Sequence, residues 1–413
     1  ELASRLMLYT DIDTLVLRGR FTIPELKRSL NSMGDKSAVI IAMHNTDARP
    51  QRDFGIDPEQ IKLLTEFASG KRVVFVYFGN PLALPFIKGY ENFSSVLVAY
   101  SNTPSNNNSA AGIIFGSAGA VGKLSVTSGI LPAGYSVLTE GGLRLSYGIP
   151  EDMEIDGKLL EKTVDSVIVN DINIGKHQGA QLLIMKNNRV IMSRSYGNLT
   201  TEASTPLNRI SGMVSHLPAI IKLAEEERLS LEDFAGKYLK RRGDSHLKSV
   251  LISDLIMHRT NISEPDSYIF KYSDENTAAL KRLAEYVTLK NFEDYTGDVI
   301  YSHIGMNKTY TKGDITYSNA NDIAKFISML KLSGTYGGTK IFEKESAELI
   351  ANLMHYYSGS LNGSIVWYDQ DSDITLVFLS NGAETGKDES HKINTGDILR
   401  RRVIDLLSGA KQN

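Results

Sequence analysis

The chain has 413 residues, of which 42% are hydrophobic and 23% charged, so it is long enough for two or three globular domains. Its formal net charge is -3 and it has no cysteine, which excludes disulfides, thiol catalysis and cysteine-ligated metals and argues against a nucleic-acid partner. No apolar run reaches the roughly 18 residues of a membrane span. The first residue is Glu1 and no signal-peptide pattern follows it, which predicts a processed form or a fragment.

The first 130 residues alternate strand and helix patterns. Short runs rich in valine and isoleucine at 38–44, 72–79 and 95–101 are apolar on both faces, as buried parallel strands are. Helical patterns precede and separate them, and one begins at Asp57 with proline in its first position and ends at Gly70. This order predicts a doubly wound α/β domain with a mainly parallel sheet.

The turn "FGNP" at 78–81 lies where the second strand should end, and open parallel sheets bind ligands at such ends. The same turn is also explained as a plain strand–helix connection, and both interpretations stay open. No GxGxxG pattern follows the first strand, so a dinucleotide site is not expected. The string "GSAGAVGK" lacks the spacing and the Ser/Thr of a phosphate-binding loop.

Three stretches of this region, "VVFVYFGNPLAL", "SVLVAY" and "AAGIIFGSAGAVGKLSVT", resemble the α/β-sandwich domain of family 3 glycoside hydrolases. The family usually has Gly-Arg-Leu-Pro-Val where this chain has Gly122 to Val126. In the family the sandwich follows a (β/α)₈ barrel that carries the nucleophile, and in the β-N-acetylhexosaminidase branch the acid/base as well. The resemblance covers residues 1–130 and implies a preceding barrel in the full-length protein, with no glycosidase chemistry in this chain alone.

Residues 131–158 are rich in glycine and proline and have no period, so they are predicted to link the first domain to a second one at 159–413. Two hairpins predict an antiparallel sheet there, one turning at Asn187-Asn188 and the other near Asp371 to Asp373. A long helical insert separates the hairpins, and a final helix closes the chain. This layout predicts an α+β domain.

In this order the segments resemble serine β-lactamases and D-Ala-D-Ala peptidase-like hydrolases, in their class C and esterase branch. The resemblance rests on "LSLEDFAGKYL", "VLISDLIMHRTNIS", "HIGMNKT" and "YSNANDIAKFISML", and it covers nearly all of 150–413. Together the two resemblances imply a bacterial cell-envelope protein, periplasmic or secreted, in which a glycoside hydrolase of the β-N-acetylhexosaminidase type is fused to a β-lactamase-like domain. They imply cell-wall glycan or peptide as partner.

Members of this family carry Ser-x-x-Lys at the start of a buried helix, where a desolvated lysine deprotonates the serine. Alignment of "HLPAIIKL" with the family places the serine position at Arg209 and the lysine position at Gly212. Arginine is permanently protonated and glycine offers no base. A shift by two residues recovers Ser211, but Val214 then stands at the lysine position. Two further Ser-x-x-Lys strings, at 245–248 and 328–331, are expected by chance.

The family's second motif is Tyr-x-Asn, and this chain has Tyr272-Ser273-Asp274, with aspartate in place of asparagine. The third motif is a cationic residue, then Thr or Ser, then Gly. Here it aligns with Ser358-Gly359-Ser360, or with one gap with Tyr357-Ser358-Gly359, and the cation is missing in both alignments. With two of three motifs broken, the domain is predicted to be a degenerate hydrolase with no intact catalytic residue.

We predict a relic pocket in which the second and third motifs converge on the helix start at Ser211. Arg209 is expected to pair there with Asp274 or with a bound anion, because an unpaired buried guanidinium is costly. No cofactor is expected, and the eight scattered histidines predict no metal site.

Three functions remain open from the sequence. The first is a non-catalytic accessory region of the glycoside hydrolase, acting as a scaffold or a glycan-binding module. The second is an active hydrolase with an unrecognised nucleophile, for example Ser211 with Tyr272. The third is a pseudo-enzyme that recognises a protein or peptide partner. An upstream reading frame that encodes an intact catalytic barrel would favour the first.

Overall fold

The computed structural model describes residues 1–18, 21–44, 46–240, 242–259, 272–359, 362–382 and 394–409. The segment predicted at 250–263 therefore lies partly outside the described residues, and Ser360 lies wholly outside them. The chain forms two compact units, Glu1–Gly142 and Leu143–Asn413. In the part of the chain that the structure describes, no helix is long and apolar enough to cross a membrane.

The first unit is built on a three-stranded parallel sheet, which confirms the predicted strand direction. The third predicted strand is shorter than expected, and the strand order is β1-β2-β3. The elements are, in chain order, α1 (Leu2–Leu6), α2 (Ile23–Ser32), β1 (Ala38–Met43), α3 (Pro58–Ala68), β2 (Arg72–Tyr77), β3 (Ser95–Val98) and α4 (Pro104–Phe115).

The helices of this unit begin where their sequences provide a cap. Thr22 and Glu25 form a capping box at the start of α2, and the Asp57 carboxylate accepts from two backbone N–H groups at the start of α3. Alternate side chains of β2, including Phe75 and Tyr77, pack with α3 into one apolar core. This core fixes the carboxyl ends of the three strands at one edge of the sheet.

The second unit has a five-stranded sheet, in the order β12 (Ile365–Asp369), β13 (Ile374–Ser380), β5 (Gly179–Lys186), β6 (Arg189–Gly197) and β4 (Ser146–Tyr147). The predicted hairpins are both present, and Asn187 and Asn188 have φ angles of 51° and 57°, which asparagine tolerates in a tight turn. The elements are β4 (Ser146–Tyr147), α5 (Gly157–Asn173), β5 (Gly179–Lys186), β6 (Arg189–Gly197), β7 (Thr205–Pro206), α6 (Leu217–Glu225), α7 (Ile252–Ile256), α8 (Asp274–Thr288), α9 (Phe292–Thr296), α10 (Ser302–Ile304), β8 (Tyr310–Lys312), β9 (Ile315–Ser318), α11 (Ala320–Lys331), β10 (Thr335–Tyr336), β11 (Thr339–Lys340), α12 (Lys344–Leu353), β12 (Ile365–Asp369), β13 (Ile374–Ser380) and α13 (Thr395–Gly409).

The boundary between the two units falls at Gly142 and Leu143, inside the linker predicted at 131–158, and the later residues of that linker already belong to the second unit. The second unit begins at Leu143, and β4 pairs in parallel with β6 at the edge of the five-stranded sheet. The other pairings in this sheet are antiparallel, as predicted. A two-residue strand is too short to produce a periodic pattern, so it could not be predicted.

The start of the buried helix in the second unit is irregular. A 3₁₀ turn at Asn208–Ile210 leads into a π-helical turn at Gly212–His216, and α6 follows directly. A π-helical turn has more residues than an α-helical turn, so residues three apart do not share one face as they do in an α-helix. A Ser-x-x-Lys spacing therefore does not place two side chains on one face across these residues.

Candidate functional site

Ser211 lies at the start of the π-helical turn and is only 1% exposed. Its hydroxyl oxygen accepts a hydrogen bond from the backbone N–H of Thr316 in β9, at 2.9 Å. Its carbonyl oxygen accepts from the Ser215 hydroxyl, at 2.5 Å. These bonds fix Ser211 between its own helix and a neighbouring strand.

Gly212 packs directly against the ring of Tyr357. A Cβ atom at Gly212 would overlap two ring carbons of Tyr357, so only glycine fits this position while the ring stays in place. Tyr357 is 1% exposed, and its hydroxyl donates to the backbone carbonyl of Ile256 at the end of α7. Burial raises the pKa of this phenol. The ring therefore fills the space beside the helix start.

The third motif runs along the outer edge of β12. The carbonyl oxygen of Ser358 accepts from the N–H of Val366 at 2.8 Å, and Gly359 forms a single antiparallel bridge with Ile365. The Ser358 hydroxyl donates to the carbonyl of His355, at 3.0 Å. Tyr357 directly precedes this pairing, and both alignments of the third motif stay open.

Tyr272 of the second motif lies between Arg209 and His258. The Arg209 guanidinium carbon is 4.9 Å from the centre of the Tyr272 ring, and that ring stacks on His258 with centroids 4.7 Å apart. His258 in turn meets the Tyr357 ring edge-on at 5.1 Å. The second and third motifs are thus joined through His258, next to the helix start.

Burial raises the pKa of Tyr272 to about 12, and the negative charge of Asp274 acts in the same direction. Asp274 is exposed in the first turn of α8 and interacts with the Tyr272 side chain. His258 is fully buried, and its Nδ1 accepts from the backbone N–H of Ser273 at 3.1 Å. Burial lowers the pKa of His258 to about 3, so this imidazole is neutral at neutral pH.

A second buried histidine lies beneath Ser211. The His216 Nδ1 is 2.9 Å from the Ser215 hydroxyl, and that hydroxyl also lies 2.8 Å from the Thr316 hydroxyl. Burial lowers the pKa of His216 to about 4. Serine beside a neutral histidine is a nucleophile–base pair in many hydrolases. Here both side chains are fully buried, so the pair is closed to a substrate.

The Ser-x-x-Lys string at 328–331, which lies in α11, is also inaccessible. Ser328 is fully buried in α11, and Lys331 pairs with Asp373 in the turn between β12 and β13. Burial lowers the pKa of Lys331, and the ion pair with Asp373 opposes that shift. Among the described residues there is no group of three or more histidine, aspartate or glutamate side chains that could hold a metal ion.

The structure thus brings together most of the residues predicted for the relic pocket. The residues that the sequence interpretation missed are His258, which lies inside the quoted segment "LIMHRT", and the ring of Tyr357. A histidine just after an apolar helix and a tyrosine before Ser-Gly were the available signals. Neither signal predicts that an aromatic ring fills the space beside Gly212.

No family model matches the chain. Protein flp from Staphylococcus aureus is 27% identical over 117 residues, which are 25% of this chain and 22% of flp, so the chain spans about a fifth of that relative. The class C β-lactamase from Rhodobacter sphaeroides is 15% identical, with a TM-score of 0.47 over 60% of this chain and 99% of its own. FmtA from Staphylococcus aureus is 15% identical, with a TM-score of 0.45 over 62% of this chain and 91% of its own.

The solved structures similar to this chain include serine β-lactamases and penicillin-binding-protein-like hydrolases. None of these similarities supports the expected fusion to a family 3 glycoside hydrolase, so that resemblance stays a prediction. The roles of individual residues rest on the contacts described above.

Proposed function

We propose that the second unit is a non-catalytic serine-hydrolase-like domain whose former active site is filled by its own Tyr357. The observation that carries this proposal is the packing of the Tyr357 ring on Gly212. An acylating serine needs an open position beside the helix start, and this position is occupied by an aromatic ring that is hydrogen-bonded to Ile256.

The remaining candidates for chemistry do not replace what is missing. A nucleophile needs an adjacent base and access to a substrate. Arg209 is always protonated, and the raised pKa of Tyr272 keeps its phenol protonated at neutral pH, so neither is a base there. Ser211 has a hydroxyl, but it is buried and bound to the backbone of Thr316. The alternative of an active enzyme with Ser211 and Tyr272 therefore has no supporting contact.

The proposal assigns the chain an accessory role in a cell-envelope protein that acts on glycans, either as a scaffold or as a binding module, outside the cytoplasm. The resemblance of residues 1–130 to the sandwich domain of family 3 glycoside hydrolases supports this assignment. The parallel sheet of the first unit is compatible with it. A pseudo-enzyme that binds a protein or peptide remains the second candidate from the sequence.

The test is covalent labelling followed by intact-mass spectrometry. The protein is incubated with benzylpenicillin and, separately, with a fluorophosphonate, beside an active serine hydrolase as reagent control. We expect no stoichiometric adduct with either reagent. The matched variant Ser211→Ala should give the same mass result as the wild type. An adduct on Ser211 or Ser215 that this variant or Ser215→Ala removes would refute the non-catalytic assignment.

A further inference from the structure

Residues 118–142, at the end of the first unit, fold back on themselves as a two-stranded arm. Backbone hydrogen bonds connect three pairs of residues across the arm, which are Ala120 with Thr139, Leu124 with Tyr135, and Ser128 with Leu131. Each pair is centred on the same turn at Gly129 and Ile130. The two halves of the arm therefore keep one antiparallel register along their length.

The register defines two faces of the arm. In extended antiparallel chains, residues opposite each other and residues two apart in one chain lie on the same face. Leu124 and Leu131 thus share one face, and both pack against the apolar core of the first unit. Val121 lies opposite Leu138 in the same register, on the other face. Their side chains are 77% and 66% exposed, so the described part of the chain leaves this outer face uncovered.

The arm is also nearly free of charge. Lys123 and Glu140 are the only charged residues between 118 and 142, whereas 23% of the whole chain is charged. Both side chains are exposed, and neither forms an ion pair within the described residues. Exposed apolar side chains with little charge around them are typical of the centre of a protein–protein contact.

The two charges lie symmetrically about the apolar pair. Lys123 is two residues from Val121 in the direction of the turn, and Glu140 is two residues from Leu138 in the opposite direction. All four side chains therefore belong to the outer face. A two-fold axis at the level of Val121 and Leu138, perpendicular to the length of the arm, brings Lys123 of one copy opposite Glu140 of another. The same axis forms this ion pair twice, so the face is complementary to itself.

The geometry points to the outer face of the arm as the contact surface of a homodimer, with a second copy of the chain as its occupant. Val121 and Leu138 of both copies form the centre of the contact, and two Lys123–Glu140 ion pairs form its rim. One arm from each copy makes a small interface, so we expect a dissociation constant of about 1–100 µM. This inference goes beyond the proposed function, because it concerns the first unit and does not depend on the site in the second.

The test is the molar mass of the whole chain in solution, measured by sedimentation equilibrium from about 1 to about 300 µM. We expect the mass to rise from that of the 45.6 kDa monomer to twice that value as the concentration increases. Leu138→Asp puts a carboxylate at the centre of the contact in both copies and should weaken association by more than about tenfold. Lys123→Glu sets like charges against each other at two places and should weaken it about tenfold.

The charge-swapped variant Lys123→Glu/Glu140→Lys should restore the wild-type dissociation constant, because opposite charges then face each other again. Lys27→Glu, on the exposed surface of α2, makes the same charge change outside the arm and should leave association unchanged. A mass that stays monomeric over the whole range overturns the proposal. A dimer that Leu138→Asp and Lys123→Glu leave unchanged also overturns it, as does a charge-swapped variant that associates as weakly as Lys123→Glu.

The wild-type series and the charge variants decide the question even if Leu138→Asp does not fold. Each of these outcomes leaves the non-catalytic assignment of the second unit untouched, because that assignment is tested by covalent labelling.

Discussion

The packing of Tyr357 on Gly212 predicts that these two positions depend on each other energetically. Replacing Gly212 with alanine forces a methyl group into the Tyr357 ring, and overpacking of this kind costs about 1–3 kcal/mol. Replacing Tyr357 with alanine removes a fully buried ring, which costs about 3–5 kcal/mol, and leaves the Ile256 carbonyl without its donor. In the double variant the ring is gone, so the added methyl group meets no obstacle.

The double variant should therefore be no less stable than Tyr357→Ala alone, and a gain of up to about 1 kcal/mol is expected from alanine in a helix. The coupling between the positions is about 2 kcal/mol, obtained as the overpacking cost that disappears. Urea unfolding followed by the fluorescence of Trp367, the one tryptophan in the chain, measures the stability of the second unit.

Gly297 provides the matched control, since it also begins a π-helical turn and a Cβ atom there would meet nothing within 4 Å. Gly297→Ala should be neutral or slightly stabilising. If Tyr357→Ala does not fold, Tyr357→Phe keeps the ring, and Gly212→Ala should then cost as much as in the wild type. The reasoning is refuted if Gly212→Ala costs the same, within about 0.5 kcal/mol, in the wild-type and Tyr357→Ala backgrounds.

Two further predictions concern charges in the second unit. Burial lowers the pKa values of His216 and His258 to about 4 and about 3, so as the pH falls from 6.5 to 5 the unfolded chain takes up protons on both histidines that the native state does not bind. The free energy of unfolding should fall by about 1.4 kcal/mol per pH unit near pH 6.5, where the unfolded histidines are half protonated, and by nearly 2.7 kcal/mol per pH unit at about pH 5; urea unfolding at several pH values should show a smaller slope for His258→Asn. The Lys331 side chain is 8% exposed and pairs with Asp373, whose side chain is 35% exposed, so Lys331→Met should destabilise the unit by about 1–2 kcal/mol because it leaves a partly buried carboxylate without its partner. Lys290→Met breaks an exposed pair and should cost less than about 1 kcal/mol, so equal costs in thermal or urea unfolding would contradict the burial argument.

The parts of the fold that could be predicted from the sequence are those set by local patterns. Apolar runs predicted the parallel strands of the first unit, and Asn187-Asn188 predicted a hairpin turn, because both depend on residues near each other in the chain. The two-residue strand β4 could not be predicted, since its pairing with β6 depends on tertiary contact alone. Local signals therefore predicted the main element types, and the glycine- and proline-rich stretch at 131–158 predicted where the units divide.

The candidate site was harder to predict because it depends on distant segments. A Ser-x-x-Lys spacing places two side chains on one face only in a regular helix, and the π-helical turn at Gly212–His216 changes which side chains share a face. Tyr357 is positioned by pairing of the next residues with the edge of β12, and both lie more than a hundred residues after Gly212 in the chain. A sequence pattern shows that motif residues are missing, but it does not show which side chain fills the space that they leave.

The π-helical turn also makes the start of α6 sensitive to a change of a single codon. In an α-helix each residue adds a rotation of about 100° around the helix axis. Deleting one residue from Gly212–His216 would therefore rotate the residues before the deletion relative to α6, while α6 itself kept its packing. Ser211 would then leave its bond with β9, and Arg209 would move off the Tyr272 ring. During evolution, the insertion or deletion of one codon could therefore change which way the side chains at this helix start point, without any substitution in the apolar core that packs on α6.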